Sequence, residues 1–447
     1  MLGTLIQQVR NYANPSHALK KLQDTPAPAP QPATATAATP AQLLRTVKLI
    51  MVTAENNNKY YEMYEQENGT FTVHYGRVGG TKSVATYPLN QWDKKFREKV
   101  AKGYVDQTHL YADKSSTTDA SSIADPAVRS LMSRLMDYAT QSIFQNYVVT
   151  AQQVTRKQVD TAQQLLDELA ATLSQTLDLT TYNTKLLDLF KVIPRKMGKV
   201  NQHLVTHIPQ NAEELQKLHD QLASEQDTLD VMRSQVELNQ SKTDADLPPP
   251  NLLESMNLSV EPVTDKRVLT LIKQMMGSDA DKFDAAFSVR HHRTQPAFDT
   301  YVDQAKNKKT QLLWHGSRSE NWLSILRTGL VLRPANAVIT GKMFGYGIYF
   351  ADQFSKSLNY TSLHGASWAN GRQKEAYLGI YEVHVGKQLE ITQHAASYQQ
   401  LDSDALAKLD PAYDSVFAKR GASLQKNEFI VYNQSQCTVR YMVKIKI

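Results

Sequence analysis

The chain has 447 residues, 41% of them hydrophobic, with one cysteine and a formal net charge of +6. That length suggests about three domains, and the apolar fraction is enough for real cores. No apolar run reaches the ~18 residues of a membrane span, a single cysteine excludes an internal disulfide framework or a cysteine zinc cluster, and the mild basicity permits nucleic-acid binding without requiring it.

Met1 to Asp24 carries Arg10, Lys20 and Lys21 but no long apolar core or small-residue cleavage site, so it does not read as a secretory signal. Leu5, Ile6 and Val9 allow a short amphipathic helix there. Thr25 to Pro40 is a low-complexity Pro/Ala/Thr tract that cannot build a core, so residues 1–42 are expected to be disordered.

The texture then changes to strands. Val47–Val52, Tyr60–Tyr64 and Phe71–Tyr75 are separated by turns at Asn56-Asn57-Asn58 and Glu67-Asn68-Gly69. A helix through Trp92, Phe96 and Val100 is expected to pack back on them and to end at Lys102-Gly103-Tyr104. Residues 114–124 form a polar linker. Asp125-Pro126 then caps a helix whose apolar stripe runs through Val128, Leu131, Met132, Leu135 and Met136. A second helix opens on a capping box, Thr155 to Gln158, and a third, through Tyr182, Leu186 and Phe190, stops at Pro194. A fourth, capped by Asn211 and Glu214, runs through Leu222, Leu229, Met232 and Val236. This bundle holds no catalytic constellation; His203, His207 and His219 read as exposed or core-edge residues rather than metal ligands.

Asp244–Asn251, with three consecutive prolines, breaks the chain again. Beyond it, strands dominate: Met256–Val260 and Phe287–Arg290 flank a helix at Lys266–Met276, and Ala376–Val385, Glu428–Val431 and Val439–Ile447 follow. Cys437 reads as a buried, inert thiol. Between these lies the stretch around which the chain is organised. Leu312-Leu313-Trp314 is a buried strand running into His315-Gly316-Ser317-Arg318, and a helix through Trp322, Ile325 and Leu326 stops at Gly329. Gly345-Tyr346-Gly347-Ile348-Tyr349-Phe350 lets backbone approach something flat and polar, and Lys356, Ser357 and Tyr360 fall at helical spacing. Hydrogen-bonding groups beside aromatic planes suit a planar amide and a ribose better than a metal or a phosphate chain. Gly345-x-Gly347 lacks the further residues that a phosphate loop needs.

The ordered set His-Gly-Ser-Arg (315–318), Gly-x-Gly-Ile-Tyr-Phe-Ala-Asp (345–352), Ser-Lys-Ser-x-Asn-Tyr (355–360) and Asn-Glu-Phe-Ile-Val-Tyr (427–432) closely resembles the catalytic core of the poly(ADP-ribose) polymerases. These are ADP-ribosyltransferases with a His-Tyr-Glu triad, and the resemblance implies that His315, Tyr349 and Glu428 are catalytic. It implies NAD+ as a consumed substrate, with no metal, held by His315, Gly316, Ser317, Arg333, Tyr349, Phe350, Ala351, Lys356, Ser357 and Tyr360, and an acceptor side at Met343 and Tyr346. Residues 43–112 resemble the WGR domain, a small α+β module, through Asn58-Lys-Tyr-Tyr61, Gly76-Arg77-Val78-Gly79 and the helix ending in Gly103-Tyr104. Tyr75 stands where that motif has tryptophan. By this resemblance Asn58, Tyr75, Arg77 and Lys82 serve DNA binding or interdomain contact, with Tyr75 stacking near a DNA end and Arg77 linking modules. Residues 122–242 would be an all-α regulatory bundle covering the NAD+ site and loosened by DNA, and 252–447 an α+β ADP-ribosyltransferase domain.

The expected protein is thus multidomain: a DNA-break-activated polymerase acting on protein acceptors, itself included, and partnered by DNA ends or nicks. It is expected to be monomeric without DNA and free of membranes, nuclear in a eukaryote and otherwise cytoplasmic or nucleoid-associated. Three departures bear on this. Val331 occupies a place where many members carry arginine, with Arg333 two residues on; Tyr346 replaces a frequent lysine; and the segment between Gln393 and Gln425 is short. They keep two alternatives open, a mono-ADP-ribosyltransferase and a non-catalytic DNA-end scaffold.

Overall fold

The structure is a computed structural model that describes residues 45–108, 120–147, 149, 153–173, 177–239, 251–332, 343–361, 374–421 and 423–446. The expected N-terminal helix and Pro/Ala/Thr tract, most of the 114–124 linker, the triple-proline break and Arg333 lie outside these residues.

The first region is an antiparallel sheet of β1 (Thr46–Val52), β2 (Asn58–Glu65), β3 (Thr70–Arg77), β4 (Ser83–Pro88) and β5 (Val105–Asp106), in the order β4-β3-β2-β1-β5. Its tight turns place Asn56 and Gly69 at positive φ, the backbone region that Asn and Gly tolerate best. Alternation along β2 and β3 buries Tyr61, Met63, Phe71 and Val73 on one face, against Trp92 of α1 (Trp92–Ala101). Val100, expected on that packing face, is 44% exposed, because the ten-residue helix buries only part of its apolar face on the small sheet.

Four helices follow: α2 (Pro126–Asn146), α3 (Arg156–Leu173), α4 (Leu179–Val192) and α5 (Ala212–Asn239). Their starts are written in the sequence. Asp125 accepts from the backbone N–H groups of Ala127 and Val128, at 2.8 and 2.9 Å. Thr155 and Gln158 close a reciprocal capping box. The Asn211 side chain accepts from the Glu214 N–H at 2.9 Å. Orphan donors at helix ends are costly when buried, so these caps fix where each helix begins.

The last region stacks two sheets. One has the order β6-β7-β14-β10-β8, from β6 (Leu258–Pro262), β7 (Phe283–His291), β8 (Thr310–Gly316), β10 (Glu375–His384) and β14 (Cys437–Lys446). The other is β11-β12-β13-β9, from β9 (Ile348–Phe350), β11 (Gln388–Ile391), β12 (Ser415–Ala418) and β13 (Glu428–Val431). Short helices connect them: α6 (Leu252–Ser255), α7 (Lys266–Met276), α8 (Thr294–Gln304), α9 (Trp322–Thr328), α10 (Phe354–Leu358) and α11 (Ser403–Leu409). The strand expected at Met256 starts two residues later, since α6 and Asn257 at φ 56° turn the chain first. Apolar packing is continuous from the helices into these sheets: Leu131, Leu229 and Met232 belong to the same buried cluster as Leu323, Tyr377 and Val383.

Candidate active site

The site forms where the two sheets diverge. β9 pairs with β13 through Phe350↔Phe429, Tyr349↔Ile430 and Ile348↔Val431. At the next residue it changes partner: Ala351 exchanges both backbone hydrogen bonds with Trp314 of β8, at 2.8 and 3.0 Å. The fork leaves a cavity of about 140 Å³ lined by His315, Gly316, Tyr349, Phe350, Ala351, Lys356, Ser357, Tyr360 and Glu428. The sequence singled out all nine.

Each group has a physical reason for its place. His315 ends β8 beside Gly379 of β10, and its ring meets Trp322, Phe350 and Tyr381 edge-on. Burial pushes its pKa down to about 4 against a partly offsetting hydrogen bond to the Tyr349 carbonyl, so the imidazole is neutral near pH 7. Nδ1 lies 3.0 Å from that carbonyl oxygen, which can only accept, so the proton sits on Nδ1 and Nε2 presents a lone pair. Gly316 packs so closely on α10 that a Cβ there would fall on the carbonyl oxygen of Ser357. The Tyr349 hydroxyl donates to the Gly345 carbonyl at 2.9 Å and accepts from the Phe344 N–H at 3.1 Å, which fixes the ring; burial raises its pKa. Ser357 is buried, whereas Tyr360 is 49% exposed at the mouth. Glu428, the first residue of β13, is 7% exposed, and the Lys356 ammonium holds its Oε1 at 2.6 Å.

The remaining expected residues lie elsewhere. Ser317 faces a larger cavity of about 510 Å³ between the helices and the catalytic sheets, with Asn321, Ser324 and Gly329–Leu332 on one wall and Gln163, Asp167, Gln226, Asp227, Asp230 and Arg233 on the other. Val331, 52% exposed, is on its rim. Met343 packs with the cluster around Phe344 and Leu401, and the Tyr346 N–H donates to the Leu401 carbonyl at 2.7 Å; neither lines the smaller cavity. Sequence reasoning missed the ion pairs that join the helices to the catalytic sheets and their connecting helices. Arg318 pairs with Asp227 of α5 at 2.9 Å, Arg327 pairs with Glu237, and Arg134 of α2 meets Glu375 at 2.6 Å. Burial works against ionisation of Glu375, yet Arg134, Tyr138 and Lys444 together bring its pKa down to about 2.

In the first region, Asn58 is buried and its side-chain amide donates to the Arg195 carbonyl at 3.2 Å. The Arg77 guanidinium donates to the carbonyls of Asn56 and Gly198, at 2.9 and 2.7 Å. Both therefore tie the sheet to the segment after α4. Tyr75 is 37% exposed and Lys82 is exposed. The Lys99 ammonium, on the helix beside Tyr75, sits 4.1 Å from the Tyr61 ring centre.

The smaller cavity brings together a neutral histidine, two tyrosine rings, bare backbone at a glycine and one buried carboxylate; among the described residues no cluster of three or more His, Cys, Asp or Glu side chains could hold a metal ion. Residues 266–447 match the family model for the poly(ADP-ribose) polymerase catalytic domain. The chain is 34% identical over 160 residues to a poly(ADP-ribose) polymerase-like protein, 100L, of Invertebrate iridescent virus 6, an alignment covering 36% of this chain and 83% of that protein. It is 31% identical over 195 residues to the uncharacterized protein 101L of the same virus, covering 44% of this chain and 79% of that one. It is also 30% identical over 221 residues to poly(ADP-ribose) polymerase 2 of Arabidopsis thaliana, 43% of this chain but only 34% of the plant protein. The chain belongs to the poly(ADP-ribose) polymerase family and is an NAD+ ADP-ribosyltransferase. Among the described residues, no helix is long and apolar enough to cross a membrane.

Proposed function

We propose that the chain transfers ADP-ribose from NAD+ to protein acceptors, itself included, extends the product into chains, and does so in response to DNA ends or nicks. The observation that carries the transfer chemistry is the convergence of His315, Tyr349, Tyr360, Ser357 and Glu428 on one cavity with the Gly316 backbone. Breaking the bond between nicotinamide and ribose C1′ passes through an oxocarbenium-like transition state, in which positive charge develops on the ribose. The site has to hold the leaving amide, orient the ribose and place negative charge beside C1′.

The backbone of Gly316 and the Ser357 hydroxyl suit the carboxamide, and Tyr349 and Tyr360 suit the faces of the nicotinamide ring. The Nε2 lone pair of His315 accepts from a hydroxyl of the adenine-side ribose without abstracting a proton. Glu428 receives the 2′-OH of the nicotinamide ribose and stabilises the cation; the same carboxylate then orients the incoming hydroxyl of an acceptor. Lys356 holds Glu428 in register. Phe350 and Ala351 close the wall, and Met343 and Tyr346 belong to the acceptor side.

For activation, the first region is a WGR module that meets DNA through Tyr75 and Lys82, and the four helices are the regulatory bundle. Residues 43–112, 122–242 and 252–447 are then the functional units. The hydrogen bonds of Asn58 and Arg77 to the segment after α4 support a mechanical link between the first two. The Asp227–Arg318 pair supports one between the bundle and the strand end that carries Gly316. Such a role places the protein with DNA, in the nucleus of a eukaryote or with the nucleoid otherwise.

Incubating the chain with labelled NAD+, with and without blunt or nicked DNA, and resolving the products by length tests both finer points. Long products that depend on DNA are expected. Single-unit products would establish the mono-transferase reading instead, and equal incorporation without DNA would overturn the gating.

A further inference from the structure

Beyond the groups that face the cavity, the fork that makes it has a closure of its own. β13 and β9 are zipped from Val431↔Ile348 to Phe429↔Phe350, and there the backbone ladder ends. Glu428 is the first residue past the last rung. One residue further along each strand, the gap is bridged again by side chains: the Asn427 amide donates to Asp352 Oδ2 at 2.7 Å. The Asn427 Oδ1 accepts from the Arg420 N–H at 2.7 Å, two residues beyond the end of β12. A backbone N–H can only donate and a carboxylate can only accept, so these two partners fix which way the amide points. A second tie follows, from Lys426 Nζ to Ser355 Oγ at 2.7 Å.

We propose that Asn427 and Asp352 are positioning residues for the transfer reaction: they form a side-chain latch across the strand fork that sets the placement of the Glu428 carboxylate. The proposal rests on the reading of Glu428 as the carboxylate beside C1′. Between the ladder on one side and the latch on the other, Glu428 has little freedom to move away from α10, where Lys356 and Ser357 sit. Without the latch, the strand end preceding Glu428 keeps only its pairing to β12, through Ala418↔Glu428, and the tie from Lys426. A displacement of about 1 Å at a reacting group is enough to lower a rate about a hundredfold, so a hydrogen bond that touches no substrate can govern turnover. The latch also explains why the chain carries an amide immediately before the catalytic glutamate: aspartate at 427 would set two carboxylates against each other across the fork.

The test measures nicotinamide release from NAD+ by the full chain, as kcat and KM, together with thermal melting. The variants are Asn427→Asp, Asp352→Asn, the double exchange, and Glu428→Gln as reference. Asn427→Asp is expected to lower kcat about tenfold with KM near the wild-type value, and Asp352→Asn to lower it less, because a neutral amide oxygen still accepts. The double exchange restores an amide–carboxylate hydrogen bond in the reverse sense, and kcat is expected to recover to within about threefold of wild type. A merely structural bond would move the melting temperature and the active fraction while leaving kcat per folded molecule unchanged. Wild-type kcat in Asn427→Asp, or no recovery in the double variant, overturns the latch while Glu428→Gln remains inactive. Full activity of Glu428→Gln overturns the reading on which the latch rests.

Discussion

The two cavities of the catalytic region differ in what builds their walls. The smaller one, around His315, is enclosed by three strands, β8, β9 and β13, and the short helix α10, and its walls are aromatic rings, backbone and a single ion pair. The larger one, beneath α5, is a seam between modules, with carboxylates and amides on the helical side. Its strands are joined by backbone hydrogen bonds, β9 to β13 by a ladder and β9 to β8 through Ala351 and Trp314. The seam is spanned by long side chains in ion pairs that are partly exposed, and such pairs contribute about 0–1 kcal/mol each. The difference teaches a division of labour. On the proposed function, chemistry sits on paired strands, and regulation would fall to contacts that exchange readily for water.

Four outcomes would break or sharpen that contrast. The largest is expected from Gly316→Ala, because the new Cβ lands on backbone that cannot yield; turnover of NAD+ should fall about a hundredfold. A variant with wild-type kcat and KM would mean that the wall is not rigid. Asp227→Asn weakens the seam at Arg318 without touching the smaller cavity, so DNA-independent turnover should rise about fivefold. Unchanged basal turnover would remove this pair from the regulatory account. Tyr75→Ala, far from either cavity, should weaken binding of a short DNA duplex about tenfold at fixed salt, by fluorescence anisotropy, while leaving NAD+ turnover at saturating DNA intact. The smallest effect concerns pH. The folded chain holds His315 neutral down to about pH 4, whereas the unfolded chain takes up that proton near 6.5, so protonation favours unfolding as pH falls between those values. The melting temperature should therefore decline through that window, and less steeply in His315→Gln. An equal decline in both would assign the pH dependence to other groups.

The smaller cavity was legible in the sequence because its residues are chemically unusual and close together. His-Gly at a strand end, glycines flanking a tyrosine and a Lys-Ser pair at helical spacing each carry a local signal, whereas Glu428 is reached only through the resemblance to the family. Helix starts were legible for the same reason, since Asp125, Thr155 and Asn211 cap within three residues of their own positions. What stayed hidden depends on partners distant in sequence. The His-Gly-Ser-Arg motif names Arg318 without its partner Asp227, 91 residues away, and Asn427 finds Asp352 across 75 residues. Val100 fits a helical stripe but faces solvent, because a ten-residue helix on a small sheet buries only part of its apolar face. The strand β4 carries weak alternation and was not anticipated; its pairing to β3 supplies what its own sequence does not.

The most direct measurement is nicotinamide release from NAD+ by the wild-type chain and by Glu428→Gln, which keeps the size of the side chain and removes its charge. If Glu428 stabilises the developing cation, kcat should fall at least about a hundredfold while KM for NAD+ changes little. Equal kcat in the two proteins would contradict the assignment of this cavity as the site of bond cleavage.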